Sequence, residues 1–312
     1  MEGIILLYKP KGISSAKAID FIKGMLPKEK VGHGGTLDPF ADGLLIVGVG
    51  RQYTKLLENI LKNADKEYLA TIKLGEFSDT DDIEGKKEKV NFEKQPYSKE
   101  IEEILQDNFT GKIRQIPPIF SALKIKGKRL YELARKIKNK EELEKMLKEK
   151  ERIVEIKKIE ILEYNFPILK IKVWCSAGTY IRSLARDIGK KLKTGGYLKE
   201  LTRTAVGNFT IERSLKIEDI KESIIEMKVN VYGRVQGVGF RAFTKKWADF
   251  YGIKGYAKNL ENGSVEVVAQ GKIKELEQLL EKIKQGPRLS KVEKTSACFM
   301  KPQNPYYDFS SL

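Results

Sequence analysis

Histidine is nearly missing from this sequence, with one in 312 residues, and cysteine and tryptophan occur twice each. Cys175 and Cys298 stand far apart, so they supply neither a disulfide framework nor a ligand set for zinc; no metal and no cofactor is expected. No apolar run approaches the roughly 20 residues that a membrane helix needs. Met1 to Tyr8 leads into Lys-Pro-Lys-Gly, which is no signal cleavage site. A soluble, cytoplasmic chain without a membrane partner is expected. Acidic residues are outnumbered, 43 against 59 Lys and Arg, for a formal charge of +16. That excess favours a polyanionic partner, nucleic acid before membrane, because Lys and Arg bind phosphate by releasing its counterions.

What the sequence has in compensation is a run of chemistry-bearing residues, Gly-His-Gly-Gly-Thr-Leu-Asp-Pro-Phe-Ala-Asp-Gly, from Gly32 to Gly43. Its glycines and proline argue against a regular helix or strand and predict a tight loop with Asp38 near its middle. The apolar Leu44–Val49 reads as a buried strand that anchors the loop. Taken alone, Asp-Pro is a turn and His33 a packed loop residue.

Further along, Gly3–Tyr8 reads as a strand, and Ser14-Ser15 caps a helix through Leu26. Lys66–Gly75 alternates like a half-buried strand before the acidic turn Asp79–Asp82. Gln115–Lys124 is ordered by prolines and opens a basic stretch, with eleven Lys or Arg against five Glu between Leu123 and Lys150. Arg129–Glu151 carries an amphipathic helical pattern broken near Asn139. Val154–Tyr164 and Ile168–Cys175 read as strands. Thr179 is expected to cap a helix with Arg182 in its first turn. From Met227 the order becomes strand, helix, strand, strand, helix, strand, the ferredoxin-like arrangement.

These motifs carry two resemblances. The Asp38 loop, the Tyr68 strand, the Cys175–Asp187 string and the segment Gly196–Phe209 resemble the TruB-type tRNA pseudouridine synthases in order, over residues 1 to about 220. Tyr232-Gly-Arg-Val-Gln-Gly-Val-Gly-Phe-Arg241 and Lys258–Glu266 resemble acylphosphatase over about 227 to 312. The implied fold is α+β: a mixed pseudouridine-synthase sheet with helices and a basic RNA-gripping insertion (123–151) in a domain 1–226, then a ferredoxin-like βαββαβ domain, 227–312.

The first resemblance implies isomerisation of uridine 55 in the T loop of tRNA, with Asp38 as the essential carboxylate. Tyr68 would stack on the flipped base, and Arg182 would pair with Asp38 and keep it ionised. Tyr180 and Leu201 would wall the pocket, His33 would fill the space that the base leaves, and Lys9 would contact substrate. Whether Asp38 forms a sugar adduct or promotes a glycal stays open. The second resemblance implies hydrolysis of a small acyl phosphate. Gln236, Gly237, Val238, Gly239 and Phe240 would cradle the phosphate with Arg241, and Asn259 would orient the attacking water. Two other readings are a C-terminal domain that only binds RNA, replacing the PUA-type extension of many TruB relatives, and a tRNA-binding chaperone. The pattern specifies no oligomeric state.

Overall fold

The structure is a computed structural model that describes residues 2–26, 29–120, 124–125, 128–129 and 146–312. The backbone divides into two compact units, one of Met1–Leu61 with Asn208–Leu312 and one of Lys62–Gly207.

Unit 1 begins with β1 (Gly3–Lys9), α1 (Ser15–Met25), β2 (Val31–Gly34), β3 (Asp42–Val49) and α2 (Arg51–Lys62, whose last residue falls in unit 2). Ser14 caps α1 as its sequence requires, its hydroxyl accepting from the Lys17 amide. Val31–Gly34 differ from the expected loop: they form a strand, His33 lying opposite Val47. The glycines permit this by leaving room for α2. A Cβ on Gly34 would stand 1.7 Å from Leu61 Cδ1, and one on Gly32 would stand 3.3 Å from Thr54 Cγ2.

Unit 2 contains β4 (Lys66–Leu74), β5 (Glu76–Ser78), β6 (Lys87–Lys89), α3 (Ser98–Phe109) and β7 (Gly111–Gln115). The short pair β8 (Lys124–Ile125) and β9 (Lys128–Arg129) follows, then β10 (Arg152–Asn165), β11 (Ile168–Cys175), α4 (Ile181–Lys191) and β12 (Gly196–Val206). Its sheet runs β12-β4-β11-β10-β7, antiparallel throughout. The expected helix Arg129–Glu151 lies mostly outside the described residues, as does most of the basic insertion; Arg129 itself belongs to β9. Thr179 does not cap α4, since its hydroxyl bonds Ser176 O. The N-cap residue Tyr180 provides no side-chain cap either; Gln115 fixes that residue in place, its side chain donating to Tyr180 O and accepting from Tyr180 N, at 2.9 and 2.7 Å.

The remainder of unit 1 is β13 (Phe209–Thr210), α5 (Asp219–Glu222), β14 (Ile225–Arg234), α6 (Phe240–Phe250), β15 (Lys254–Asn259), β16 (Val265–Gly271), α7 (Ile273–Gln285), β17 (Lys291–Met300) and β18 (Phe309–Ser311). Strand order β15-β16-β14-β17, all antiparallel, is the ferredoxin-like arrangement read from the sequence. β18 extends it, parallel to β15.

This sheet does not stop at β17. β1 pairs with β17 in parallel, Ile4 opposite Cys298 and Ile5 opposite Phe299, and β3 continues on the far side of β1. Ile5, Leu7, Val47 and Ile22 share one apolar core with Val229, Val267, Leu279 and Phe299. Tyr53 on α2 reinforces the join, accepting from Ala297 N at 3.1 Å. The expected boundary at 226/227 falls inside β14, and the compact units divide elsewhere.

Candidate active sites

The Asp38 loop is built from unit 1 by saturating its backbone. Lys9 is fully buried, and its ammonium donates to Pro10 O at 2.9 Å, Ile13 O at 2.8 Å and Pro39 O at 3.4 Å. Gly12 N also donates to Pro39 O, at 2.8 Å. The Ser15 hydroxyl both accepts from Leu37 N and donates to Leu37 O. Leu37 and Phe40 turn inwards, at 3 and 9% exposure, so the half-buried Asp38 is flanked by two apolar anchors. The Tyr8 hydroxyl donates to Asp42 at 2.8 Å, and burial together with that carboxylate pushes the phenol up to about 12. Lys9 and Ser15 thus hold the loop. His33 is half-buried on β2.

Unit 2 carries the other candidates. Tyr68 is buried on β4 between Arg203 of β12 and Val173 of β11. Leu201 lies on β12 opposite Ala70. Tyr180 precedes α4, and its ring lies 4.3 Å from the Arg152 guanidinium. Arg182, 5% exposed, donates to Asp82 Oδ2 at 3.2 Å, Thr80 O at 3.4 Å and Phe120 O at 2.8 Å.

The Asp82 partnership was missed in the sequence, where Asp79–Asp82 read only as an acidic turn. Asp81 occupies φ +62°, a conformation that Asp tolerates, and pairs with Arg186 at 2.9 Å. Burial raises the Asp81 carboxyl and the two neighbouring arginines oppose it. The i, i+4 spacing of Arg182 and Arg186 along one helix face was the available signal. A cavity of about 920 Å³ nearby is lined by Asp81, Arg114, Ile119, Arg186 and Lys190, and by none of the candidate site residues.

The second candidate site follows β14. Gly237 and Gly239 hold φ of +72° and +75°, which non-glycine residues rarely adopt, and a Cβ on either would meet open space. Gly239 is the N-cap of α6, whose first-turn N–H groups have no intrahelical acceptor. Gln236 ties this loop to the β15–β16 turn, donating to Leu260 O and Ser264 O, both at 2.9 Å. That turn follows Asn259, whose Oδ1 is buried without a hydrogen-bond partner among the described residues. Arg241 lies in the first turn of α6, and its guanidinium donates to Leu312 O. The sequence candidates Gln236–Arg241 and Asn259 are therefore placed on one loop, the helix it opens and the strand tied to it.

Neither cysteine is a nucleophile of ordinary reactivity. Burial pushes the Cys175 thiol up to about 11 and Cys298 up to about 12. Among the described residues no cluster of His, Cys, Asp and Glu has metal-binding geometry, and no helix is long and apolar enough to cross a membrane.

A carboxylate presented by a rigid loop suits sugar chemistry, and a glycine cradle at a helix start suits phosphate. Comparison with known proteins agrees. The family model for the N-terminal domain of TruB family pseudouridylate synthase matches residues 23–181, the tRNA pseudouridylate synthase B C-terminal domain matches 182–232, and acylphosphatase matches 227–311. The tRNA pseudouridine synthase B of Clostridium tetani is 46% identical over 227 residues, covering 72% of this chain and 75% of that one. Its counterpart in Francisella tularensis subsp. holarctica is 42% identical over 238 residues, 76% of each chain. Among solved structures, a Cbf5-Nop10-Gar1 complex contains a chain 30% identical, with a TM-score of 0.52 over 70% of this chain and 53% of that one. The chain belongs to the TruB family of pseudouridylate synthases and carries an acylphosphatase domain at residues 227–311.

Proposed function

We propose that this chain isomerises uridine 55 in the T loop of tRNA to pseudouridine. In the reaction the N1–C1′ bond breaks, the base turns, C5 bonds to C1′, and the C5 proton is lost while N1 gains one. Positive charge develops at C1′ as the first bond breaks, so a carboxylate beside that carbon lowers the barrier. Asp38 is that carboxylate in this reading. The observation that carries it is the pinned loop: Lys9, Gly12 and Ser15 hold its carbonyls and so fix where the Asp38 side chain stands. The adduct route uses it at C1′ and the glycal route at the proton on the neighbouring C2′.

Tyr68 stacks on the flipped base, Arg182 offsets the charge of Asp38, Tyr180 and Leu201 wall the pocket, and His33 fills the place that the base vacates. Lys9 acts through the loop, because its ammonium is bonded to the carbonyls of Pro10, Ile13 and Pro39. The test is pseudouridine formation in an unmodified tRNA transcript. The parent should modify the T loop and Asp38→Asn should not, while both bind tRNA alike; equal rates would refute the assignment.

A second activity, hydrolysis of a small acyl phosphate, is favoured by the buried Oδ1 of Asn259, which offers an acceptor to an attacking water. Water adds to phosphorus, the acyl carboxylate leaves, and Arg241 with the N–H groups of 237–240 stabilises the added charge. Acetyl phosphate turnover tests this. No turnover by the parent would leave the domain as an RNA-binding replacement for a PUA-type extension.

A further inference from the structure

The ferredoxin-like sheet has one face covered by α6 and α7, where Val229, Val231 and Val267 pack on Phe240, Leu276 and Leu279. The other face alternates with these residues and has a different character. On β14 it presents Lys228 and Tyr232, on β15 Lys254 and Tyr256, and on β17 Lys294. Tyr232 is 36% exposed, opposite Lys294, whose ammonium lies 5.8 Å from the ring centre. Tyr256 packs edge-on against Tyr306, with ring centres 5.8 Å apart.

Charge on this face is one-sided. Its two carboxylates are already neutralised, Glu226 by Arg213 and Glu266 by Lys228. Arg234, Lys254, Lys258 and Lys294 have no ion-pair partner among the described residues. Beside the Tyr256–Tyr306 pair lies a cavity of about 220 Å³, lined also by Arg213, Glu226, Lys228 and Val268. Strand geometry separates Tyr232 from Tyr256 by two strands across and four residues along, roughly 16 Å. Aromatic rings at such intervals, interleaved with unneutralised cations, match the unstacked bases and phosphates of a single strand. A duplex offers no base faces to them.

We propose that the exposed part of this sheet face, outside the stretch where Gln270 bonds Asn304 and Tyr306, binds a single-stranded segment of RNA, the tRNA substrate itself, with Tyr232 and the Tyr256–Tyr306 pair as stacking points and Arg234, Lys254, Lys258 and Lys294 along the phosphates. The proposal rests on the tRNA reading above and assigns the acylphosphatase-like sheet a share of its affinity. It leaves the phosphate cradle free, because that lies at the start of α6.

The experiment uses the full chain, an unmodified tRNA transcript and a ten-residue oligouridylate. The triple reversal Arg234→Glu, Lys254→Glu, Lys294→Glu should weaken both complexes at least tenfold and make the salt dependence of affinity shallower by about two in log–log slope. Tyr232→Ala alone should weaken oligouridylate binding about five- to tenfold. For pseudouridine formation, KM should rise with kcat unchanged, and acetyl phosphate hydrolysis and melting temperature should match the parent. Unchanged affinity and KM in both variants overturn the proposal, as does a parent that binds oligouridylate no better than duplex RNA. A parent that binds oligouridylate through this face yet makes no pseudouridine would refute the tRNA reading and keep the RNA face.

Discussion

The Asp38 loop and the 236–240 loop both belong to unit 1, and both are rich in glycine, yet they are held in opposite ways. Around Asp38 the backbone is consumed: Pro39 O receives the Lys9 ammonium and the Gly12 amide, and Leu37 is clasped at both ends by Ser15. Around Gly237 the contacts come from the Gln236 side chain, and the positive-φ glycines leave their Cβ directions open. A loop that presents a side chain must have its main chain satisfied first. A loop that presents its main chain must keep it bare, and glycine leaves nothing in the way. Even the glycines differ in purpose, since Gly34 is small for the sake of Leu61 and Gly239 for the sake of its own φ.

The sharpest test of this contrast is reciprocal. Asp38→Asn should lower pseudouridine formation by about 10⁴-fold or more and leave acetyl phosphate hydrolysis intact. Arg241→Ala should do the reverse, costing hydrolysis about 10²- to 10³-fold. Cross-effects would show that the two loops are not separate devices. Next in size is Lys9→Met, which takes the ammonium from Pro10 O and Ile13 O and leaves Pro39 O with the Gly12 amide alone; it should cost about 2–3 kcal/mol in denaturant unfolding and reduce isomerisation about 100-fold through a displaced loop. Hydrolysis measured below the melting transition should hardly change.

Smaller effects separate the glycines. Gly34→Ala and Gly239→Ala should each cost about 1–2 kcal/mol. Pairing Gly34→Ala with Leu61→Ala should recover part of the loss in a double-mutant cycle, because the clash is with a side chain. No partner substitution should rescue Gly239→Ala, whose strain is its own. The smallest effect is in pH. The Tyr8 phenol, raised from 10.0 to about 12 by burial and Asp42, contributes stability that is complete below pH 10 and lost as pH rises through about 12. Melting curves of Tyr8→Phe should therefore fall less steeply than the parent's over that interval.

Most elements were legible from local pattern. The alternation in β4, the Ser14 cap of α1 and the βαββαβ order each depend on neighbours in sequence, and the structure has them all. β2 was not legible, because glycine was read as a breaker when it was serving α2 packing. The Asp82 contact of Arg182 was hidden for a related reason: Asp82 lies 100 positions away, and nothing local selects it over Asp81. Gln115 as the clamp on α4, and Lys9 as a buried staple, likewise depend on distant backbone. The proposed site residues stood out in the sequence, but their supports did not.

The parallel register of β1 with β17 has a consequence for how the chain is made. Ile4 meets Cys298 across almost the whole length of the polypeptide, whereas unit 2 is one uninterrupted stretch. On the ribosome, unit 2 has all its own residues before the last strands of unit 1 emerge, and pairings over such separation form slowly. β1 is translated long before the strand that completes its pairing. Until residues near 299 are available, Ile4 and Ile5 carry an edge with no neighbour on one side, while Leu6 and Tyr8 already bond Leu215; such an edge is the kind of surface that other chains can join.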